Sequence, residues 1–135
     1  MPRIFGHNLL FVLLAFIAMY LIGFAWYGFL FQEPYEALSG MSMDTPTAPW
    51  RMYGVGLAIP LLASLGLAWA FNKFGQVGLM NCVKSALAIA LFFAVTTGLY
   101  ALAYDVRYPL DLMWVDAGHL LVGYGVAGAI ISFGK

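Results

Sequence analysis

Asp116 and His119 are the residues of this chain best placed to do chemistry. They lie three positions apart in the stretch DVRYPLDLMWVDAGHLLVGYGVAG, residues 105–128, and on a helix that spacing stacks them on one face. The segment around them is apolar enough to lie in a bilayer, where an ionisable side chain is expensive and points to a functional site. A carboxylate next to an imidazole can hold a cation, a proton or a small polar ligand. A structural reading stands beside that one. Asp116 near a helix start is favoured by the helix dipole and can accept from Thr97, Tyr27 or water, while His119 can donate to a backbone carbonyl.

The pair lacks the company that familiar catalytic and metal centres need. There is no HExxH, no glycine-rich phosphate loop and no cysteine cluster. The other histidine, His7, falls at the far end of its own helix, and one His with one Asp is too few protein ligands for a structural zinc site. Ser39, Ser42, Ser64, Ser85 and Ser132 have no plausible base beside them. The sequence therefore predicts no catalytic residue, no metal and no cofactor. Cys82, the single cysteine, cannot form an internal disulfide.

The elements that must position the pair follow from hydropathy. Only 9% of the residues are charged, against about 25% in soluble domains, so the chain reads as a membrane protein. Zero net charge leaves no basic surface for nucleic acid. About 20 apolar residues cross the hydrocarbon core. Uncharged runs of that length predict spans at about 8–31, 52–72, 85–104 and 112–133, with a long loop at 32–51. The first run is too long for a signal-peptide core, and Trp26-Tyr27 stand where small cleavage-site residues would be, so it is expected to remain. In the long loop, Pro34 and Gly40 bracket a short helix that can lay Tyr35 and Leu38 on the membrane surface. Met41 and Met43 follow, and the loop, which carries three prolines in all, reads as an ordinary surface loop, a lid or a partner contact being the alternative. The fold expected is all-α, a single-domain integral membrane four-helix bundle.

Packing and orientation can also be read. Gly56, Pro60, Ser64 and Ala68 recur every four residues and form a small-residue ridge on the second span. The fourth span has two lean faces, Gly118, Gly125, Ala129 and Ser132 on one side and Asp116, His119, Gly123 and Ala127 on the other. That makes it the hub, with Gly118 and Gly125 expected against one neighbour and Gly123 and Ala127 against another. Arg3, Lys73, Lys84 and Lys135 stand at one end of the spans, against Arg51 and Arg107 at the other. This bias predicts both termini in the cytoplasm, in a bacterial inner membrane. By rise per residue, Asp116, Tyr27 and Tyr100 lie about 6 Å below the outer ends of their spans, Trp26 roughly 8 Å, and His119 and Thr97 about 10 Å. One outward-facing, ligand-binding layer of Asp116, His119, Thr97, Tyr100, Tyr27 and Trp26 is the expectation.

The chain also resembles a family of small four-helix membrane proteins, domain of unknown function 1761. Its first helix ends in Gly23-Phe24-Ala25-Trp26-Tyr27, similar to that family's Gly-x-x-Trp-Tyr, and the next turn closes at Leu38-Ser39-Gly40. Ala94-Val95-Thr96-Thr97 marks the third helix. Tyr108-Pro109-Leu110 opens the fourth, which continues Val115-Asp116-Ala117-Gly118-His119-Leu120. The chain departs from the pattern where Gly28-Phe29 replaces Ser-Pro, and where His119 follows Gly118 without an intervening tyrosine. The resemblance implies a membrane location and no particular activity. Two functions are carried forward: a membrane protein that binds or transports a small ligand or ion through the polar layer, and a structural or accessory subunit, a homodimer or the partner of another membrane protein, docked through its small-residue faces.

Overall fold

The computed structural model describes residues 2–40 and 48–135, so Met41 and Met43 lie outside the described residues. The described residues form five helices, α1 (Leu9–Leu30), α2 (Gln32–Ser39), α3 (Trp50–Lys73), α4 (Leu79–Tyr104) and α5 (Leu110–Ser132). All but α2 are long and apolar enough to cross a membrane. The fold is all-α apart from one short hairpin. Three of the long helices widen locally into π turns, at Trp26–Leu30, Trp50–Val55 and Ala90–Val95.

Boundaries follow local chemistry. Asn8 caps α1, its side chain accepting from the Leu10 N–H at 3.0 Å. Gly40, with φ 73°, closes α2 in the left-handed conformation that glycine adopts without penalty. The short helix expected between Pro34 and Gly40 is therefore present, but Tyr35 packs back on Tyr27 instead of lying outward. The third long helix starts at Leu79, six residues before the predicted 85. Lys84 does not stop it, because the turns at 79–89 already carry an inward stripe of Cys82 and Ala86 while Lys84 sits exposed on the other side.

A feature not foreseen is a two-residue hairpin ahead of α1. Strands β1 (Arg3–Ile4) and β2 (His7–Asn8) pair antiparallel around Phe5 and Gly6, whose φ values are 49° and 77°. Two positive φ angles in succession are what a tight hairpin turn requires. The hairpin folds onto the chain's other end, where the Asn8 N–H donates to the Gly134 carbonyl at 2.7 Å. His7 is buried by it, edge-on to Phe71, with Nδ1–H donating to the Phe5 carbonyl at 2.9 Å.

The core of Val12, Leu67, Phe71, Cys82, Ala86 and Ile131 lies at this terminal end. The opposite end, called the loop end below, carries α2 and residues 105–109. Helix α5 is the hub, packed on α1 along one side and on α4 along another. The assignment of its glycines differs from expectation. Gly118 faces Trp26 of α1, whereas Gly125 faces Leu87 of α4, so the two do not share a neighbour. The indole of Trp26 reaches across from α1 to Gly118 and the Val115 carbonyl, which a spacing argument blind to side-chain reach cannot see. The closest approach is at Gly128, where a Cβ would lie 2.6 Å from the Ala86 Cβ and 3.0 Å from the Cys82 carbonyl oxygen. The α3 ridge does turn inward, with Pro60, Ser64 and Ala68 buried and the Ser64 hydroxyl donating to Met19 Sδ at 3.5 Å.

Two outcomes follow from this packing. Gly128→Val must push apart α4 and α5 and should cost about 1–3 kcal/mol, the usual range for overpacking. Gly66→Ala, where an added Cβ would meet no atom within 4 Å beyond its own helix turn, should leave thermal melting unchanged or slightly raised. Burial, helped by the charges of Lys135 and Arg3 and opposed by the Phe5 hydrogen bond, holds the His7 pKa below its ordinary 6.5. The unfolded chain then binds the proton more readily, so this contribution is complete above pH 6.5 and is lost as pH falls toward the folded value. Thermal melts across about pH 5 to 7 should show stability falling on acidification, and His7→Gln should flatten that slope.

Candidate functional site

The site is built where the end of α1 meets the first turns of α5. From Trp26 onward α1 runs as a π turn, closed by the Phe31 N–H donating to the Trp26 carbonyl at 2.8 Å. A wider turn brings successive side chains closer in direction, so Trp26 and its neighbour Tyr27 both reach α5. The interlock that results is reciprocal. Gly23 leaves room for His119, since a Cβ there would lie 3.2 Å from the imidazole Nε2. Gly118 leaves room for Trp26, with a Cβ there 3.0 Å from the indole Cζ2. Each helix offers one ring and one glycine to the other.

Hydrogen bonds fix the register of this fit. The Trp26 Nε1–H donates to the Val115 carbonyl at 3.0 Å, and the Tyr27 hydroxyl donates to Asp116 Oδ1 at 2.6 Å. The Tyr27 ring stands edge-on to the His119 ring at 5.0 Å between centroids. The second oxygen of Asp116, Oδ2, accepts from the Tyr108 hydroxyl. Tyr108 is set up by the preceding turn, in which Asp105 accepts from the Arg107 N–H through its side chain and from the Tyr108 N–H through its carbonyl.

Around this carboxylate lies a cavity of about 730 Å³, walled by Tyr27, Tyr35, Leu38, Ser39, Tyr108 and Asp116, with Asp105 and Arg107 at its edge. Tyr35 packs edge-on to Tyr27 at 4.9 Å. Burial first, and the charge of Asp116 with it, raises the pKa of Tyr35 and of Tyr108. Both phenols therefore remain protonated donors through the physiological range. Arg107 and Asp105 form an exposed pair at 3.7 Å.

Of the residues singled out in the sequence, Asp116, Tyr27, Trp26 and His119 come together, and Thr97 and Tyr100 do not join them. Thr97 donates to its own helix, at 2.6 Å from the Phe93 carbonyl, and faces outward. Tyr100 is 67% exposed and stacks on Tyr104. Depth along a helix, which put both in the layer, says nothing about the direction a side chain takes around it. His119 is also turned away from the cavity at Asp116. It lines a separate cleft of about 320 Å³ between α1, α3 and α5. Tyr35 and Tyr108 are the site residues that the sequence did not single out for this role. Pro109, which sets the start of α5 and so the place of Tyr108, was the available signal. Among the described residues no three His, Cys, Asp or Glu side chains gather into a group that could hold a metal ion.

If the interlock holds the loop end together, Tyr27→Phe and Asp116→Asn should each cost about 1–3 kcal/mol, the range for leaving a buried partner unsatisfied. The double variant should lose clearly less than the sum in thermal melts, because the two groups act through one contact. Additive losses would show that the hydroxyl and the carboxylate do not depend on each other.

No curated protein and no solved structure matches the chain. A family model described as protein of unknown function (DUF1761) matches residues 10–132, a range holding both halves of the interlock and the walls of both cavities. The chain therefore belongs to the DUF1761 family.

Proposed function

We propose that this chain is an integral membrane protein, with both termini in the cytoplasm, that binds a small organic cation in the tyrosine-walled cavity at its outer end. The membrane reading is supported by four helices of sufficient length and by an exterior on which Leu21, Phe24, Leu62, Phe92 and Phe93 are exposed. Such a surface suits hydrocarbon better than water. The orientation rests on the distribution of Arg and Lys between the two ends.

One observation carries the ligand class: the Asp116 carboxylate, held at both oxygens by phenols, stands in the wall of a cavity faced by three tyrosines. A carboxylate attracts an ammonium group, and aromatic faces add cation–π attraction that grows as the site is desolvated. Arg107 is engaged with Asp105, and among the described residues no ammonium or guanidinium pairs with Asp116. Tetramethylammonium and choline are suitable probes. Either should raise the melting temperature saturably, and Asp116→Asn should weaken binding by about tenfold or more, the effect of losing a charge-assisted contact. Equal binding by the asparagine variant would overturn the reading.

A second reading keeps the interlock purely structural and makes the chain an accessory subunit. It is favoured by the mutual satisfaction of Trp26, Tyr27, Tyr108 and Asp116, and by the thin packing of α3 on α4, which leaves Leu62, Trp69, Phe74 and Phe93 exposed along a groove. Under it, neither probe binds, and Leu62→Ala with Phe93→Ala shifts the protein from a larger assembly to a monomer in detergent.

A further inference from the structure

We infer that the cleft between α1, α3 and α5 is a second binding site, for a neutral lipid-soluble ring compound with hydrogen-bonding oxygens, of the size and chemistry of a quinone head group. The cleft, open on one side, offers about 320 Å³. An apolar cavity of ~150 Å³ accepts one benzene ring, so this one has room for roughly two fused rings. Its walls include Met19, Phe24, Ile59 and Pro60, and no Asp, Glu, Lys or Arg lines it. A charged ligand would there lose its hydration without gaining a counter-ion. The ligand is therefore neutral.

Three polar side chains break the apolar lining, Tyr20 on α1 and His119 and Tyr124 on α5, and the two on α5 face one ligand-sized space. His119 and Tyr124 both line the cleft, and neither makes a hydrogen bond to any described residue. Five positions apart on α5, they are separated by about 7.5 Å of rise and roughly 140° around the axis, yet both line the cleft, so a ring compound lying across this face of α5 with an oxygen at each end can reach both. A lipid acyl chain would fill the apolar volume and leave both groups unsatisfied. Gly23 gives the imidazole its place, while Met19 and Met52 supply walls that adapt to an incoming ring. The rim at Phe24, Met52 and Ile59 is exposed, so entry is from the side of the bundle. This site is separate from the cation cavity, and its probe is different, so either can fail alone.

The test uses the purified full-length chain in detergent micelles, with 2-methyl-1,4-naphthoquinone as probe and 2-methylnaphthalene as its counterpart without oxygens. The quinone should raise the melting temperature saturably. Ala63→Phe, which fills the cleft, and Ile59→Trp, which blocks its exposed rim without entering the core, should each abolish that shift. His119→Leu should weaken binding by about tenfold, as should removal of the oxygens from the probe, each through a lost hydrogen bond. No saturable shift in the wild-type chain, or the same shift in both Ala63→Phe and Ile59→Trp, would overturn the site. Equal binding of the two probes would overturn the assignment of oxygens to His119 and Tyr124.

Discussion

The structure depends on one steric exchange between α1 and α5. Each helix gives up a side chain where the other presents a ring, Gly23 for His119 and Gly118 for Trp26. Where the surrounding medium is apolar, helices gain little from burying more apolar surface, so shape fit and hydrogen bonds decide how they associate. The exchange supplies the shape. The Trp26–Val115 and Tyr27–Asp116 bonds then fix the register, because a slide of either helix would break both together.

Two cavities of different character follow from that seam. On the loop side, Asp116 is held by Tyr27 and Tyr108 and opens on a space walled by phenols. On the α3 side, His119 faces a space walled by methionine, proline and aromatic carbon. Asp116 and His119 are near neighbours along α5, yet the seam divides them, giving the carboxylate charge-assisted partners and the imidazole an apolar setting. The terminal end is held by other means. There the hairpin joins the chain's beginning to its end through Asn8 and Gly134, His7 packs on Phe71 of α3, and Gly128 of α5 closes on Ala86 of α4.

What could be read in the sequence was what depends on one dimension. Four helices long and apolar enough to span, the short helix between Pro34 and Gly40, and the shared depth of Tyr27 and Asp116 all follow from run length and rise. The direction of a side chain around its helix was less legible. Thr97 and Tyr100 sit at matching depth yet turn outward, and Thr97 satisfies itself on Phe93. Gly118 was counted with Gly125, but the reach of the Trp26 indole assigns it to α1. Tyr108 was hidden because its role comes from a turn and not from helical spacing. The hairpin escaped because its turn, Phe5-Gly6, lacks the Asn-Gly or Asp-Gly signal that usually marks one.

The most direct measurement of the interlock is a solid-state NMR dipolar coupling in lipid between the indole ¹⁵Nε1 of Trp26 and the ¹³C carbonyl of Val115. The two groups are hydrogen-bonded here at 3.0 Å. That bond requires a resolvable coupling for this one tryptophan–valine pair, together with an indole N–H slow to exchange with deuterium. A missing coupling, with Trp26 exchanging as fast as the exposed Trp50, would contradict it.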